Sequence, residues 1–334
     1  MKGALYTAVS AEKQSQRRQA AKGLSKRYSL PPGRAYNPAM TVAIGILGLG
    51  AVGTLMAHHW HSQRLFALTR HQQEACCRLE DEGSLHSLTL PAWQGEVLDW
   101  LLVTTKAAAT LDALRAWQQR LPTVKRILLL QNGMGQHEQV QAWLQQQALD
   151  CELWAGISTE GAWRRDDGVI VRAGKGEVLI GRWDSAPSRL DEPSPLPGCC
   201  YVANIHVRQR EKLAVNAVIN PLTALYRCRN GELLDNPDYY SHFAALCDEV
   251  TTLYQQLGWP LSFEPQERIR AVARATATNR SSTLQDRLAG RPDELAFITG
   301  YLIRQASQHG LSLPLCATLW QTLSPPDTPR EHQP

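Results

Sequence analysis

Val42-Ala43-Ile44-Gly45-Ile46-Leu47-Gly48-Leu49-Gly50-Ala51-Val52-Gly53 is the stretch on which the fold turns. Its first six residues form a short apolar run, the pattern of a parallel strand buried on both faces. Its last six spell G-x-G-x-x-G, and a helical stretch follows them. Such a fingerprint has a mechanism where it follows a strand and opens a helix, as it does here. Gly48 permits the tight turn, Gly50 lets the backbone approach a pyrophosphate, and Gly53 lets helix and strand pack closely. Leu49, Ala51 and Val52 complete the loop, and the helix N-terminus presents free N–H groups and a positive dipole to phosphate. A glycine-rich turn without a ligand is the competing reading.

Outward from this point strands and helices alternate. Arg64–Leu68, Leu98–Thr104, Arg126–Leu130 and Cys151–Ile157 read as strands, with helical segments Ala109–Arg120 and Gln136–Gln147 between them. That alternation predicts a Rossmann-type α/β domain with a parallel sheet and right-handed crossovers. Gly168–Gly181 has the alternation and glycine spacing of a β-hairpin, and the Pro/Ser-rich Ser185–Gly198 reads as a surface loop. Beyond Ile205 only helical periodicities remain, in Glu211–Asn220, Tyr239–Leu257, Glu264–Ala277 and Asp293–His309. The expected organisation is a basic extension over 1–40, a dinucleotide-binding domain over 41–205, an all-α domain over 206–323 and a polar tail over 324–334, with the active site in the interdomain cleft.

The chain has 334 residues and a net charge of +4, but that charge is uneven. Residues 1–40 hold eight Lys and Arg against Glu12, a local net of +7, which leaves −3 on the rest. A basic body built for nucleic acid is excluded. The extension cannot bury enough apolar surface to offset ordering entropy. It suits a solvated tail, a transit peptide, or a start that properly lies at Met40. The eight cysteines include the vicinal pairs Cys76–Cys77 and Cys199–Cys200 and no C-x-x-C, which points to a reducing cytoplasm and no zinc site. No apolar run reaches membrane-spanning length.

Where an NAD site carries an acid after the second strand, this chain has Leu68-Thr69-Arg70. An arginine there can receive a 2′-phosphate with bidentate hydrogen bonds, so the implied cofactor is NADP(H); an ordinary surface arginine is the alternative. Lys106 and Asn132 follow two further strands, where ligands of open α/β sheets gather, although Asn132 before Gly133 also suits a plain turn. In Glu211–Pro221, Lys212, Asn216 and Asn220 recur every fourth residue and line one face of an otherwise apolar helix. A buried stripe of one ammonium and two amides needs partners, which a polar substrate would supply; a lysine snorkelling to solvent, with the two amides capping neighbouring backbone, is the alternative. The lysine, its pKa lowered by burial, can donate a proton. Ser282-Thr283-Leu284-Gln285 has the form of a capping box, and Asp293 and Glu294 after Pro292 suit a helix start; pattern alone makes both structural. His58, His59 and His61 complement the end of the first helix and lack a carboxylate at metal-ligand spacing.

These residues together resemble the ketopantoate reductase family. The resemblance runs from Val42 to Leu315 and rests on Gly48–Gly53, Asn132-Gly133-Met134-Gly135, Lys212-Leu213-Ala214-Val215-Asn216, Ile219-Asn220-Pro221-Leu222-Thr223-Ala224-Leu225, Asn230-Gly231-Glu232-Leu233, Ser281-Ser282 and Glu294. It implies NADPH-dependent reduction of a 2-keto acid, 2-dehydropantoate, in pantothenate and coenzyme A synthesis, by a cytoplasmic monomer or homodimer that binds neither nucleic acid nor membrane. It places the general acid on Lys212 and substrate-binding groups on Asn132, Asn216, Asn220, Asn230 and Ser282. Cofactor contacts fall on the glycine loop, Arg70, Lys106, Asn132, Ala162 and Glu294. Ser282 and Glu294 thereby become functional expectations. The extension before Met40 departs from the family, whose chain starts almost at the first strand. The rivals are a reductase of the same build acting on another 2-keto acid and a non-catalytic NADPH-binding regulator, the latter disfavoured by the intact Lys212–Glu294 set.

Overall fold

The computed structural model describes residues 41–183, 194 and 196–324; the expectations for 1–40, for most of Ser185–Gly198 and for the tail beyond Ser324 lie outside them. The first strand, β1 (Ala43–Leu47), is buried along its whole length. It is flanked on one side by β2 (Arg64–Leu68) and on the other by β5 (Trp100–Val103), both parallel to it. The sheet extends through parallel β6 (Arg126–Leu129) and β7 (Glu152–Ser158), then antiparallel β10 (Val178–Arg182) and the short β11 (Cys200–Tyr201), in the order β11-β10-β7-β6-β5-β1-β2. Near-continuous Ile, Leu and Val in the central strands fit burial on both faces.

A second sheet interrupts this plan. Glu82 and Gly83, at φ +50° and +79°, make a two-residue turn of primed type between β3 (Ala75–Asp81) and β4 (Ser84–Leu90). Strands β8 (Gly161–Arg164) and β9 (Ile170–Gly174) complete it in the order β4-β3-β9-β8. The reading of Gly168–Gly181 as a hairpin is therefore corrected. Its two strands exist, but β9 pairs with β3 and β8 while β10 pairs with β7 in the other sheet. Alternation locates a strand and says nothing about which edge it joins. The first helix, α1 (Ala51–His59), lies between the sheets, and its Leu55 and Met56, with Trp60 at its C-cap, share a core with Ile44 and Ile46 of one sheet and Cys77, Leu79 and Ile170 of the other.

The crossovers are α2 (Thr110–Arg115), shorter than read and followed by a 3₁₀ turn at Gln118–Thr123, and α3 (Gln136–Gln146). From Ile205 the described chain is helical. Helix α4 (Ile205–Tyr226) starts well before the Glu211 expected from periodicity, because the Asn204 side chain accepts the Val207 N–H and caps it. It is followed by α5 (Glu232–Asp235), α6 (Pro237–Gln256), α7 (Pro265–Ala275), α8 (Ser282–Leu288), α9 (Thr299–Gln308) and α10 (Pro314–Leu323). The expected single helix over Asp293–His309 is broken. A 3₁₀ turn at Leu295–Phe297 precedes α9, with Ile298 out of helical geometry. One apolar core, from Leu47 and Leu129 through Ala214 and Val218 to Leu302 and Leu319, joins the sheet domain to the helical domain. No helix among the described residues is long and apolar enough to cross a membrane.

Candidate active site

The glycine loop is built as its spacing requires. Gly48 sits at φ +104°, and a Cβ there would lie 2.6 Å from the Thr105 nitrogen; a side chain is barred by both conformation and space. A Cβ on Gly53 would fall 2.1 Å from the Gly48 carbonyl and 2.7 Å from Thr104 Oγ1. The close approach is thus between helix and loop, and Thr104 Oγ1 donates to the Gly48 carbonyl across it at 2.5 Å. Gly50 is different: a Cβ there meets nothing within 4 Å. The protein does not need that glycine for its own packing, and the open space beside it fits the diphosphate of a dinucleotide. Gly50 caps α1 without a side-chain bond, and the first turn contains no acid, so the helix N-terminus keeps its donors and positive dipole free for an anion. Leu49, Ala51 and Val52 are half-buried against the inter-sheet core together with Ala162, which lies on β8. Arg70 follows β2, exposed and without an ion pair among the described residues.

A second cluster forms where the domains meet. Gly133, at φ +82°, sits so close to the Phe297 carbonyl that a Cβ would be 2.5 Å from it. The Met134 N–H donates to that same carbonyl at 2.8 Å. This seam sets the end of β6 against the 3₁₀ turn of the helical domain. Asn132, next to it, donates from Nδ2 to Glu294 Oε2 at 3.2 Å. Asn132 is therefore more than a turn residue. Lys106, from the loop after β5, places Nζ 2.5 Å from Asp286 Oδ2 and 4.0 Å from Glu294 Oε2. Arg291 meets the other Asp286 oxygen at 3.1 Å.

Lys212 enters this cluster from α4. Its Nζ donates to the Ser158 carbonyl at 2.8 Å, at the end of β7. Burial lowers its pKa from 10.5 to about 8, against the opposing pull of the Glu294 charge. Burial pushes the Glu294 carboxyl up, while Lys106 and the Asn132 amide draw it down; the net direction is up. Burial thus moves the two groups of this junction in opposite directions, the lysine down and the carboxyl up, and so brings their pKa values closer together.

The rest of the polar stripe is placed with them on α4. Asn216 is half-buried one turn on, and Asn220 is buried with its Nδ2 unpartnered. Lys212 to Asn220 spans about 12 Å along the helix. Asn230, buried beyond the end of α4, donates to Thr276 Oγ1 at 2.8 Å, and its Oδ1 has no partner. Buried amide groups without partners are uncommon and suit a polar ligand. Ser282 is exposed, and the expected capping box is corrected: the cap of α8 is Ser281, whose Oγ accepts the Leu284 N–H at 3.2 Å and bonds Thr223 Oγ1 at 2.7 Å. Gln285 bonds the Arg280 carbonyl instead of reaching back to the cap. With the capping duty one residue earlier, the Ser282 hydroxyl is left free. Asp293 keeps its structural role, accepting from the Leu295 N–H and pairing with Arg287. Sequence reading missed Asp286 and the Ser158 carbonyl. A buried acid four residues after Ser282, on the same face of α8, was the available signal for Asp286. A main-chain carbonyl leaves no such signal.

The comparisons agree on one family. The model described as "Ketopantoate reductase PanE/ApbA" matches residues 44–185, and that described as "Ketopantoate reductase PanE/ApbA C terminal" matches 204–326. The 2-dehydropantoate 2-reductase of Salmonella typhi is 35% identical over 291 residues, covering 83% of this chain and 93% of that one. A crystal structure of a probable 2-dehydropantoate 2-reductase from Bacillus subtilis superposes with a TM-score of 0.67 at 29% identity, covering 84% of this chain and 98% of that one. A D-mandelate dehydrogenase solved with NADH and anilino(oxo)acetate shares the fold, with a TM-score of 0.68 at 20% identity and coverage of 84% and 96%. With both halves of the family pattern matched in order along one chain, this protein belongs to the ketopantoate reductase family of oxidoreductases.

Proposed function

We propose that this protein reduces 2-dehydropantoate to (R)-pantoate with NADPH, in the synthesis of pantothenate and coenzyme A in the cytoplasm. The observation that carries the reading is Lys212. It is a half-buried lysine whose pKa falls to about 8, held at the domain junction by Ser158 and facing Glu294. The reduced nicotinamide, when bound, supplies the hydride for the keto carbon. Negative charge then grows on the ketone oxygen, and the Lys212 ammonium stabilises it and delivers the proton. A pKa of about 8 leaves Lys212 mostly protonated at pH 7 yet willing to give its proton up.

Asn132, Asn216, Asn220, Asn230 and Ser282 hold the substrate's hydroxyl and carboxylate. Orientation of this kind can dominate a rate, and the unpartnered Asn220 Nδ2 and Asn230 Oδ1 are free to provide it. Asn132, Lys106, Glu294 and the Ala162 main chain bind the nicotinamide half of the cofactor. The glycine loop binds its diphosphate, and Arg70 its 2′-phosphate. The two domains share the work: 41–205 supplies the glycine loop, Arg70, Lys106, Asn132 and Ala162, and 206–323 supplies Lys212 and the remaining substrate groups together with Glu294.

The test is the initial rate of NADPH oxidation with 2-dehydropantoate, beside pyruvate, 2-oxoisovalerate and NADH. Turnover confined to 2-dehydropantoate and NADPH is expected. Faster turnover of another 2-keto acid reassigns the substrate, and tight NADPH binding with no turnover moves the protein to a regulatory role.

A further inference from the structure

Among the described residues, the second sheet carries a cation that no carboxylate neutralises. Four arginines lie on it or beside it, and three have acidic company. Arg165 holds Glu80 at 2.6 Å and Asp167 at 2.8 Å. Arg172 holds Asp81 at 3.1 Å and Glu160 at 3.6 Å. Arg78 donates to the Asp167 carbonyl, close enough to that side chain to help lower its pKa. Arg164, the last residue of β8, has no carboxylate partner among the described residues. Its Nη2 donates to the carbonyl of Leu49 at 3.1 Å, the residue between the first two glycines of the fingerprint.

This contact follows from strand geometry. Residues two apart on a strand share a face, so Arg164 lies on the same side of β8 as Ala162, which packs against the same inter-sheet core as Leu49, Ala51 and Val52. The second sheet thus lays one guanidinium against the loop. A guanidinium has five N–H donors in a planar fork, and the Leu49 carbonyl engages one nitrogen of Arg164. Three features meet at this loop: a nine-residue helix whose N-terminus carries no acid, open space beside Gly50, and an arginine lacking an anion. A doubly charged diphosphate answers all three, since arginine forks match phosphate oxygens.

We propose that Arg164 is a cofactor-binding residue that reaches over from the second sheet to bind the diphosphate of the dinucleotide. This rests on the reading of the loop as a dinucleotide site. The diphosphate is common to NADH and NADPH, so Arg164 supplies affinity without choosing between them, whereas Arg70 makes the choice.

The experiment is calorimetric titration of NADPH, NADH and adenosine 2′-monophosphate into wild type, R164A, R164K and R70A, with thermal midpoints alongside. R164A should weaken both dinucleotides by the same factor, about ten- to a hundredfold, and leave the 2′-monophosphate and the midpoint unchanged. R164K should recover part of the loss through its charge. R70A should weaken NADPH and the 2′-monophosphate only. Wild-type binding of both dinucleotides with R164A unaffected overturns the assignment alone. So does a loss confined to NADPH, which would put Arg164 at the 2′-phosphate. Equal losses in R164A and R164K with lowered midpoints would make it a brace for the loop. Wild type that binds neither dinucleotide overturns the dinucleotide reading and this assignment with it.

Discussion

The glycine loop at Gly48–Gly53 is made of main chain, whereas the cluster around Lys212 is made of side chains drawn from both domains. The first needs little beyond a strand, a turn and a helix start, all within twelve consecutive residues. The second takes Lys106 and Asn132 from the sheet domain and Asp286, Glu294 and Lys212 from the helical one, with the Ser158 carbonyl between them. A site of backbone donors carries fixed partial charges and tolerates neighbours of many kinds. A site of paired ions is tuned by every charge near it, so altering one member changes the properties of the others.

The largest effect should come from Lys212. Lys212→Ala is expected to lower kcat by about 10²- to 10⁴-fold while the fold survives. Lys212→Met should keep or raise the thermal midpoint, because a lowered lysine pKa means that folding disfavours the charge. The sign is explicit. With the folded pKa near 8 and the unfolded value near 10.5, the unfolded state binds the proton more tightly. Stability from this group therefore rises with pH between those values, and below about 8 the charge costs stability. Stopped-flow turnover and thermal melts of the same samples check both halves. Near-normal turnover in the alanine variant would remove Lys212 as the acid.

The loop allows a sharper contrast between two alanines. Gly53→Ala forces a Cβ onto the Gly48 carbonyl and should destabilise by about 1–3 kcal/mol, seen as a lower melting midpoint. Gly50→Ala meets no protein atom, so its midpoint should stay put while dinucleotide affinity falls. If both alanines melt alike and bind alike, the loop is only a turn.

Coupling in the ionic cluster is tested by Glu294→Gln, which removes the charge that raises the Lys212 pKa. The alkaline fall in kcat, expected near pH 8 in the wild type, should move to lower pH by on the order of one unit. An unmoved profile would mean that the two groups do not communicate.

The smallest effect lies away from the site. His137, buried at the start of α3, stacks on Trp183 at 4.4 Å, and burial lowers its pKa to about 3. The unfolded state takes up this proton first, so the stability that His137 contributes is lost as pH falls from about 6.5 toward 3. His137→Phe should flatten that part of the acid-unfolding curve and leave neutral-pH activity alone.

The regions differ equally in how far they could be read. The loop's turn, helix start and packing glycine were legible because each is a short-range steric demand. The polar stripe on α4 was legible as a face, since Lys212, Asn216 and Asn220 recur every fourth residue, but its partners were not. Asn132 and Glu294, 162 residues apart, meet only because Gly133 lets one domain close on Phe297 of the other. Alternation misjoins the Gly168–Gly181 strands and does not reveal the hairpin at Ala75–Leu90 for the same reason: it fixes a face and leaves the partner edge open.

By itself the sequence determined the local backbone: where β1 ends, why three glycines are spaced as they are, which face of α4 is polar, and that the regular elements after Ile205 are helices among the described residues. Those are decisions of sterics and periodicity, settled among near neighbours. The tertiary structure alone decided that β9 and β10 part company into two sheets, that Ser281 rather than Ser282 caps α8, and that Lys106 is answered by Asp286. It also brought Arg164 to the glycine loop. Charges and strand edges choose partners by distance in space, and only the packed core sets that distance.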